Sequence, residues 1–338
     1  MGATNMHDPA THSHETRTRA ALAFAAAACL ALAGVAIAGA ARAASDEPMA
    51  DPRLTITGSD PGVPFLAPEG IALDARHGEI LLAHTGRHRL DVFDLEGHRR
   101  AHLLHQVTDP DGHPTEGDPH AVAVDPAGHI IVTDRLAGYA DVLDYRGRSL
   151  AHLDLPARGQ RVLLDGPGAV ACAPDGSILV ASRGDSGRVL EFAPSFTRSR
   201  SWGEPGTAPG QLSRIMALAV SPKDGNVVVV CQNTDDVVQV FDRQGGFVRG
   251  FGAHEIGPGN FSFPTCVVVT RDGRIWAGDA IRQVIQVFSP EGELLGAVGG
   301  PGEKPGEFTY PAALASDGDS LLAIAERGGN RFQLMRIR

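Results

Sequence analysis

One unit of about 48 residues recurs six times along the chain, and this repeat constrains the fold more than any other feature. Each copy has a Pro-led apolar run, a turn with Gly, a second apolar run, a polar gap and a third run. The first two copies are APEGIALDARHGEILLAHTGRHRLDVFDLEG and DPHAVAVDPAGHIIVTDRLAGYADVLDYRG. The later ones open with GPGAVACAPDG, RIMALAVSPKDG, FPTCVVVTRDG and YPAALASDGDS. An apolar marker in the third run falls at Phe93, Leu143, Phe192, Phe241, Phe288 and Met335, spaced 47 to 50 residues apart.

The runs are short, rich in Val and Ile, alternating, and bounded by DG, GG or PxG turns, which is the pattern of antiparallel hairpins. No segment sustains a 3.6-residue period. A fourth short run such as FVRGFG follows the third, and then a Pro-Gly loop: APGQL, GPGNF, KPGEF. One unit is therefore a four-stranded antiparallel sheet with two apolar faces, which needs neighbours on both sides. Six such sheets set radially make an all-β, six-bladed β-propeller. The 41 Gly and 23 Pro fit the turns and argue against a helical bundle, and Gly has no period of three, which excludes collagen. The sixth copy stops after its third run. RLTITG ahead of PGVPFLAP mirrors RGFG ahead of GPGNFSFP, so Arg53–Thr57 is expected to close the last blade, with the propeller spanning 53–338.

Ahead of the repeats, the uncharged run from Ala20 to Ala41 follows Arg17 and Arg19 and ends in Ala41-Arg42-Ala43. This predicts a Sec-type signal peptide over 1–43, a linker over 44–52, and a secreted or periplasmic protein with no integral membrane span after cleavage. An uncleaved N-terminal membrane anchor is the alternative. The net charge of -10 argues against a nucleic-acid partner. Cys172, Cys231 and Cys266 sit in apolar runs and read as buried small hydrophobes.

The strings HRLDVFDLEG, GRVLEFAP, VVQVFDRQG and VIQVFSPEG resemble the NHL repeat, over Arg53 to Arg338. The likeness implies a six-bladed propeller and no single function. Gly166 to Gly246 is also similar to bacterial relatives of peptidyl-hydroxyglycine amidating lyase. That likeness implies zinc held by histidines that follow the leading Pro of several blades. His120, in PHAVAVD, matches. Met216 and Thr265 stand at two further such places, and the Arg and Tyr implied for copies four and three are replaced in CQNTDD and SRGDSGR.

The residue after the leading Pro starts the innermost strand, beside the central channel. Around the ring these are Glu69, His120, Gly168, Met216, Thr265 and Ala312. A second ring, at the end of the second strand, reads His84, Asp134, Ser182, Gln232, Asp279 and Glu326. Loops on the same face carry Arg87, Arg135, Arg183, Arg282 and Arg327, whose guanidinium forks suit carboxylate or phosphate groups. Ten of the fourteen histidines fall between His77 and His152. His84, His113 and His120, with Glu69 and Asp134, form the candidate acid–base or divalent-metal cluster, for Zn or Ca.

Two functions are therefore expected. One is a non-catalytic binding module that takes a protein, a peptide or a small anionic ligand at the channel mouth, with Arg87, Arg135, Arg183, Arg282, Arg327 and Thr265 as contacts. The other is a metal-assisted lyase or hydrolase, peptidyl-hydroxyglycine lyase-like or lactonase-like, using Glu69, His84, His120 and Asp134.

Overall fold

A computed structural model describes residues 48–108, 112–155 and 166–338. The expected signal peptide and most of the linker lie outside the described residues. Six four-stranded antiparallel sheets form the blades of one propeller. Their inner strands are Pro68–Asp74, Pro119–Val124, Pro167–Cys172, Ile215–Val220, Pro264–Val269 and Pro311–Ser316, in blades 1 to 6. Each packs against the next, and the sixth meets the first, so the ring is closed.

Ala50–Ile56 is the outer strand of blade 6, paired from Ala50↔Ile337 to Ile56↔Phe332. The expected closure is therefore present, and it begins three residues earlier than the sequence suggested. Phe65 fixes the seam. It is buried, and its ring lies 5.8 Å from that of Phe93 in blade 1 and 6.0 Å from that of Phe332 in blade 6. Burying such a side chain contributes roughly 1.5–3 kcal/mol. Phe261 and Phe308 are buried at the same place ahead of blades 5 and 6.

Local sequence explains the turns. In the Asp-x-x-Gly turn of blade 1, Asp94 Oδ1 accepts the amides of Glu96 (3.1 Å) and His98 (2.8 Å), while Gly97 takes φ 86°. Two small hairpins not expected from the repeat decorate the linkers into blades 1 and 2: Gly58–Asp60 with Val63–Pro64, and Gln106–Thr108 with Pro114–Glu116. Among the described residues no helix is long and apolar enough to cross a membrane.

Every inner strand opens with a register shift just after its first residue. Pro68 pairs with His84 and Gly70 with Ala83, so Glu69 is an extra, unpaired residue. The same bulge sets off His120, Met216, Thr265 and Ala312, and falls between Pro167 and Val170 in blade 3. A bulge re-aims a side chain out of the pleat. Here it turns the ring residues toward the channel.

Candidate functional site

A cavity of about 380 Å³ occupies the channel at the end where the inner strands begin. Glu69, His120, Arg135, Arg183, Thr265 and Arg327 line it, together with Met216, Phe263 and Tyr310. Six of the ten residues singled out as candidate contacts or metal ligands thus meet in one place.

Glu69 is the hub. Its Oε2 lies 3.0 Å from His120 Nδ1 and bonds Arg135, and its Oε1 lies 3.2 Å from Arg327 Nε. The latter pair is not aligned as a hydrogen bond, so this buried oxygen keeps a lone pair free. Burial alone would raise the Glu69 carboxyl, but His120, Arg135 and Arg327 hold it below its usual value. Gly70 makes the arrangement feasible: a Cβ there would lie 2.6 Å from the His120 carbonyl oxygen and 2.9 Å from Ala121 Cα. The missing side chain lets blades 1 and 2 approach closely enough for Glu69 to reach His120.

Arg183 differs from the other two arginines. Its guanidinium donates to the Pro167 carbonyl at 3.2 Å and forms no ion pair with a carboxylate among the described residues. Burial, and then the positive charge of Arg135, presses it below its usual pKa. Among the described residues Glu69 is the one acidic side chain lining the cavity, against three arginines. The cavity therefore carries a formal surplus of two positive charges in a protein of net charge -10.

The remaining candidates lie elsewhere. His84 is fully buried, with Nε2 accepting the Leu66 amide and Nδ1 3.0 Å from Asp91 Oδ2. Asp134 is also fully buried, with Oδ2 2.9 Å from His105 Nδ1 and Oδ1 accepting the Leu136 amide. Neither lines the cavity, and His113 is exposed outside it. Glu69, His84, His120 and Asp134 are thus not brought together. Among the described residues, no group of three or more His, Cys, Asp or Glu is placed to hold a metal. With Glu69 engaged by His120, Arg135 and Arg327, and His84 and Asp134 turned to other partners, this donor set is not assembled around one point as a divalent ion needs.

Arg282 turns inward, donating to Ser262 Oγ and to the carbonyls of Glu255, Gly257 and Asn260. Arg87 donates to the Pro64 carbonyl and stays outside the cavity. Thr265 lines the cavity, but its hydroxyl donates to Pro311 O at 2.7 Å and ties blade 5 to blade 6. In the second ring the position opposite the inner-strand start in blade 4 is Cys231, paired with Ile215, and not the expected Gln232. The other members bond local backbone or side chains. Asp279 accepts four amides, from Ser262, Phe263, Ile281 and Arg282. Cys231 and Cys266 are free and buried, and burial pushes their thiols up to about 11 and about 12.

The sequence reading missed three residues. Phe263 and Tyr310 form a half-exposed aromatic pair on the cavity wall, with ring centroids 6.2 Å apart. Tyr310 takes φ 57° directly before a proline, a left-handed conformation that L residues seldom adopt. Asp118, just before the blade 2 inner strand, has its carboxyl pushed up by burial, with Asp134 and Glu69 adding to this against Arg135. Its place beside Pro119 was a signal the sequence held.

No protein-family model and no curated protein matches the sequence. Solved structures do match in fold. Virginiamycin B lyase from Staphylococcus aureus superposes with TM-score 0.58 at 14% identity, covering 84% of this chain and 98% of the other. A putative gluconolactonase gives 0.60 at 16% identity, covering 86% and 92%. A gluconolactonase from Xanthomonas campestris gives 0.59 at 16% identity, covering 86% and 95%. At such identities the likeness establishes the six-bladed propeller alone.

Proposed function

We propose that this NHL-like propeller is a ligand-binding module acting outside the cytoplasm, and that its central cavity takes a small anionic molecule. One observation carries the reading: among the described residues Arg183 lies in the cavity without an ion pair to a carboxylate, while the one acidic group lining it is shared by His120, Arg135 and Arg327. Charge-assisted hydrogen bonds from Arg135 and Arg183 to a carboxylate or phosphate would supply the missing negative charge. Arg327 and His120, held by Glu69, would complete the cage.

Calorimetric titration of the purified protein with acetate and with inorganic phosphate tests this. Binding should weaken with added salt, and Arg183→Ala should lower affinity at least tenfold with the fold intact by circular dichroism. Equal affinity in Arg183→Ala, or no anion binding by the wild-type protein, would sink the proposal.

A second reading is favoured by the Glu69–His120 pair, set at 3.0 Å on the cavity wall. A histidine oriented by a buried carboxylate suits proton transfer. The fold's occurrence in a virginiamycin B lyase and in gluconolactonases is consistent with a lyase or hydrolase of this kind. Turnover of a lactone or a peptidyl-hydroxyglycine, abolished by His120→Ala with the fold intact by circular dichroism, would replace the binding-only reading.

A further inference from the structure

The cavity is divided by polarity along the ring. Its ionisable groups come from one arc: Glu69 in blade 1, His120 and Arg135 in blade 2, Arg183 in blade 3 and Arg327 in blade 6. Blades 4 and 5 contribute no ionisable side chain to the lining apart from the buried Cys266 thiol. They present Met216, Leu218, Phe263 and Val267, and Tyr310 ahead of blade 6 stands against Phe263. In a six-membered ring blade 5 lies across from blade 2, and blade 6 across from blade 3. The aromatic pair therefore faces Arg135 and Arg183 across the channel.

Two further facts fit a bound apolar group on that side. Met216, Phe263 and Tyr310 are only half-buried, so their apolar surface is not consumed by the core. On the same face, loops of blade 5 expose Ile281 (55%) and, in the linker leading into it, Ile256 (79%). Deeper in the channel, the inner strands line the cavity with the apolar side chains of Val122, Val170, Leu218, Val267 and Leu314.

From this we infer that the ligand is a small amphipathic carboxylate: an anionic head against Arg135 and Arg183, and an alkyl or aryl body against Met216, Phe263 and Tyr310. This rests on the anion-binding reading and adds the class of molecule. A compact polyanion would leave the apolar arc uncovered, and a neutral hydrocarbon would leave the half-buried Arg183 without a direct ion-pair partner among the described residues. A cavity of about 380 Å³ is near the small end of ligand sites, which suits a body of a few carbons rather than a long acyl chain.

The test is a chain-length series on the wild-type protein: acetate, butyrate, hexanoate and octanoate, with 1-octanol as the neutral control. Affinity should rise about fourfold for each methylene that enters the cavity, the factor to which ~0.8 kcal/mol per buried CH₂ corresponds. Met216→Gln combined with Phe263→Ser should flatten the series while acetate still binds. Anion binding that does not depend on chain length would overturn this inference and leave the anion site standing. Octanol binding as tightly as octanoate would overturn the arginine-held head group. No binding by any acid would remove both.

Discussion

Blades 4, 5 and 6 and blades 1 and 2 solve one problem with different chemistry. In each blade a linker must be tied to the third strand before the chain enters the inner strand. Blades 4 to 6 use a glutamine. Gln239 accepts from Gly210 N and donates to Gln211 O, Gln286 accepts from Gly259 N and donates to Asn260 O, and Gln333 accepts from Gly306 N and donates to Glu307 O. The same strand position holds Asp91 in blade 1 and Asp141 in blade 2, each with histidine. Asp91 holds His84, which accepts the linker amide of Leu66, and Asp141 lies 3.6 Å from His105, the first residue of its linker. Glutamine offers a donor and an acceptor at once, so it needs no intermediary. A carboxylate only accepts, so it cannot serve a backbone carbonyl as glutamine does, and in these two blades a histidine stands between it and the linker. Two of the histidines of blades 1 and 2, His84 and His105, are accounted for in this way. His77, His98 and His129 likewise pair with the turn carboxylates Asp74, Asp94 and Asp125 on the far face.

The largest expected effect tests whether the comparison can be made at all outside a closed ring. Deleting Ala50–Ile56 strips the hydrogen-bonding edge of Arg331–Ile337 and uncovers the seam at Leu54 and Ile56. Both halves should lose stability together, by more than about 4 kcal/mol, in denaturant unfolding. A truncated protein that melts at the wild-type temperature would mean that closure does not support the ring.

Next come matched substitutions in the two kinds of latch. Asp91→Leu leaves His84 fully buried with Nδ1 unpaired, and Arg89 without its 3.0 Å partner. Breaking a buried pair in this way costs about 3–5 kcal/mol. Gln286→Leu orphans Gly259 N and Asn260 O in a surface linker, which should cost about 1–3 kcal/mol. Equal losses, measured from urea midpoints, would show that the two latches are interchangeable.

How much of this the sequence could reveal depends on what kind of fact each feature is. The blades were legible because turn residues and apolar alternation repeat with the fold's own period. The closing strand was legible because its flanking string copies the other linkers. Glu69 and His120 were legible because the bulge after the first inner-strand residue recurs in every blade. Arg282 and Arg87 occupy the same kind of loop as Arg183 but turn to backbone carbonyls supplied by their own linkers, and linker conformation does not repeat. Gln232 was one residue out of register because blade 4 begins with Ile215 rather than proline, which removed the landmark. Phe263 and Tyr310 looked like linker residues, and only the ring's closure sets them across from the arginines.

A final test separates the halves by pH. His105 is buried between Asp134, 2.9 Å from its Nδ1, and Asp141, 3.6 Å from its Nε2. Burial opposes its charged form, but the two carboxylates outweigh that and raise its pKa to about 9. The folded state therefore holds the proton more tightly than the unfolded chain, whose value is near 6.5. The stabilisation is fully present below pH 6.5 and is lost as the pH rises through about 9, with a slope approaching about 1 kcal/mol per pH unit. The glutamine latches of blades 4 to 6 have nothing to titrate in this window. Melting temperature should thus fall between pH 6.5 and 9, and His105→Gln should start lower and stay flat. An alkaline slope that survives in His105→Gln would show that His105 is not the titrating group and remove the basis of this distinction between the halves.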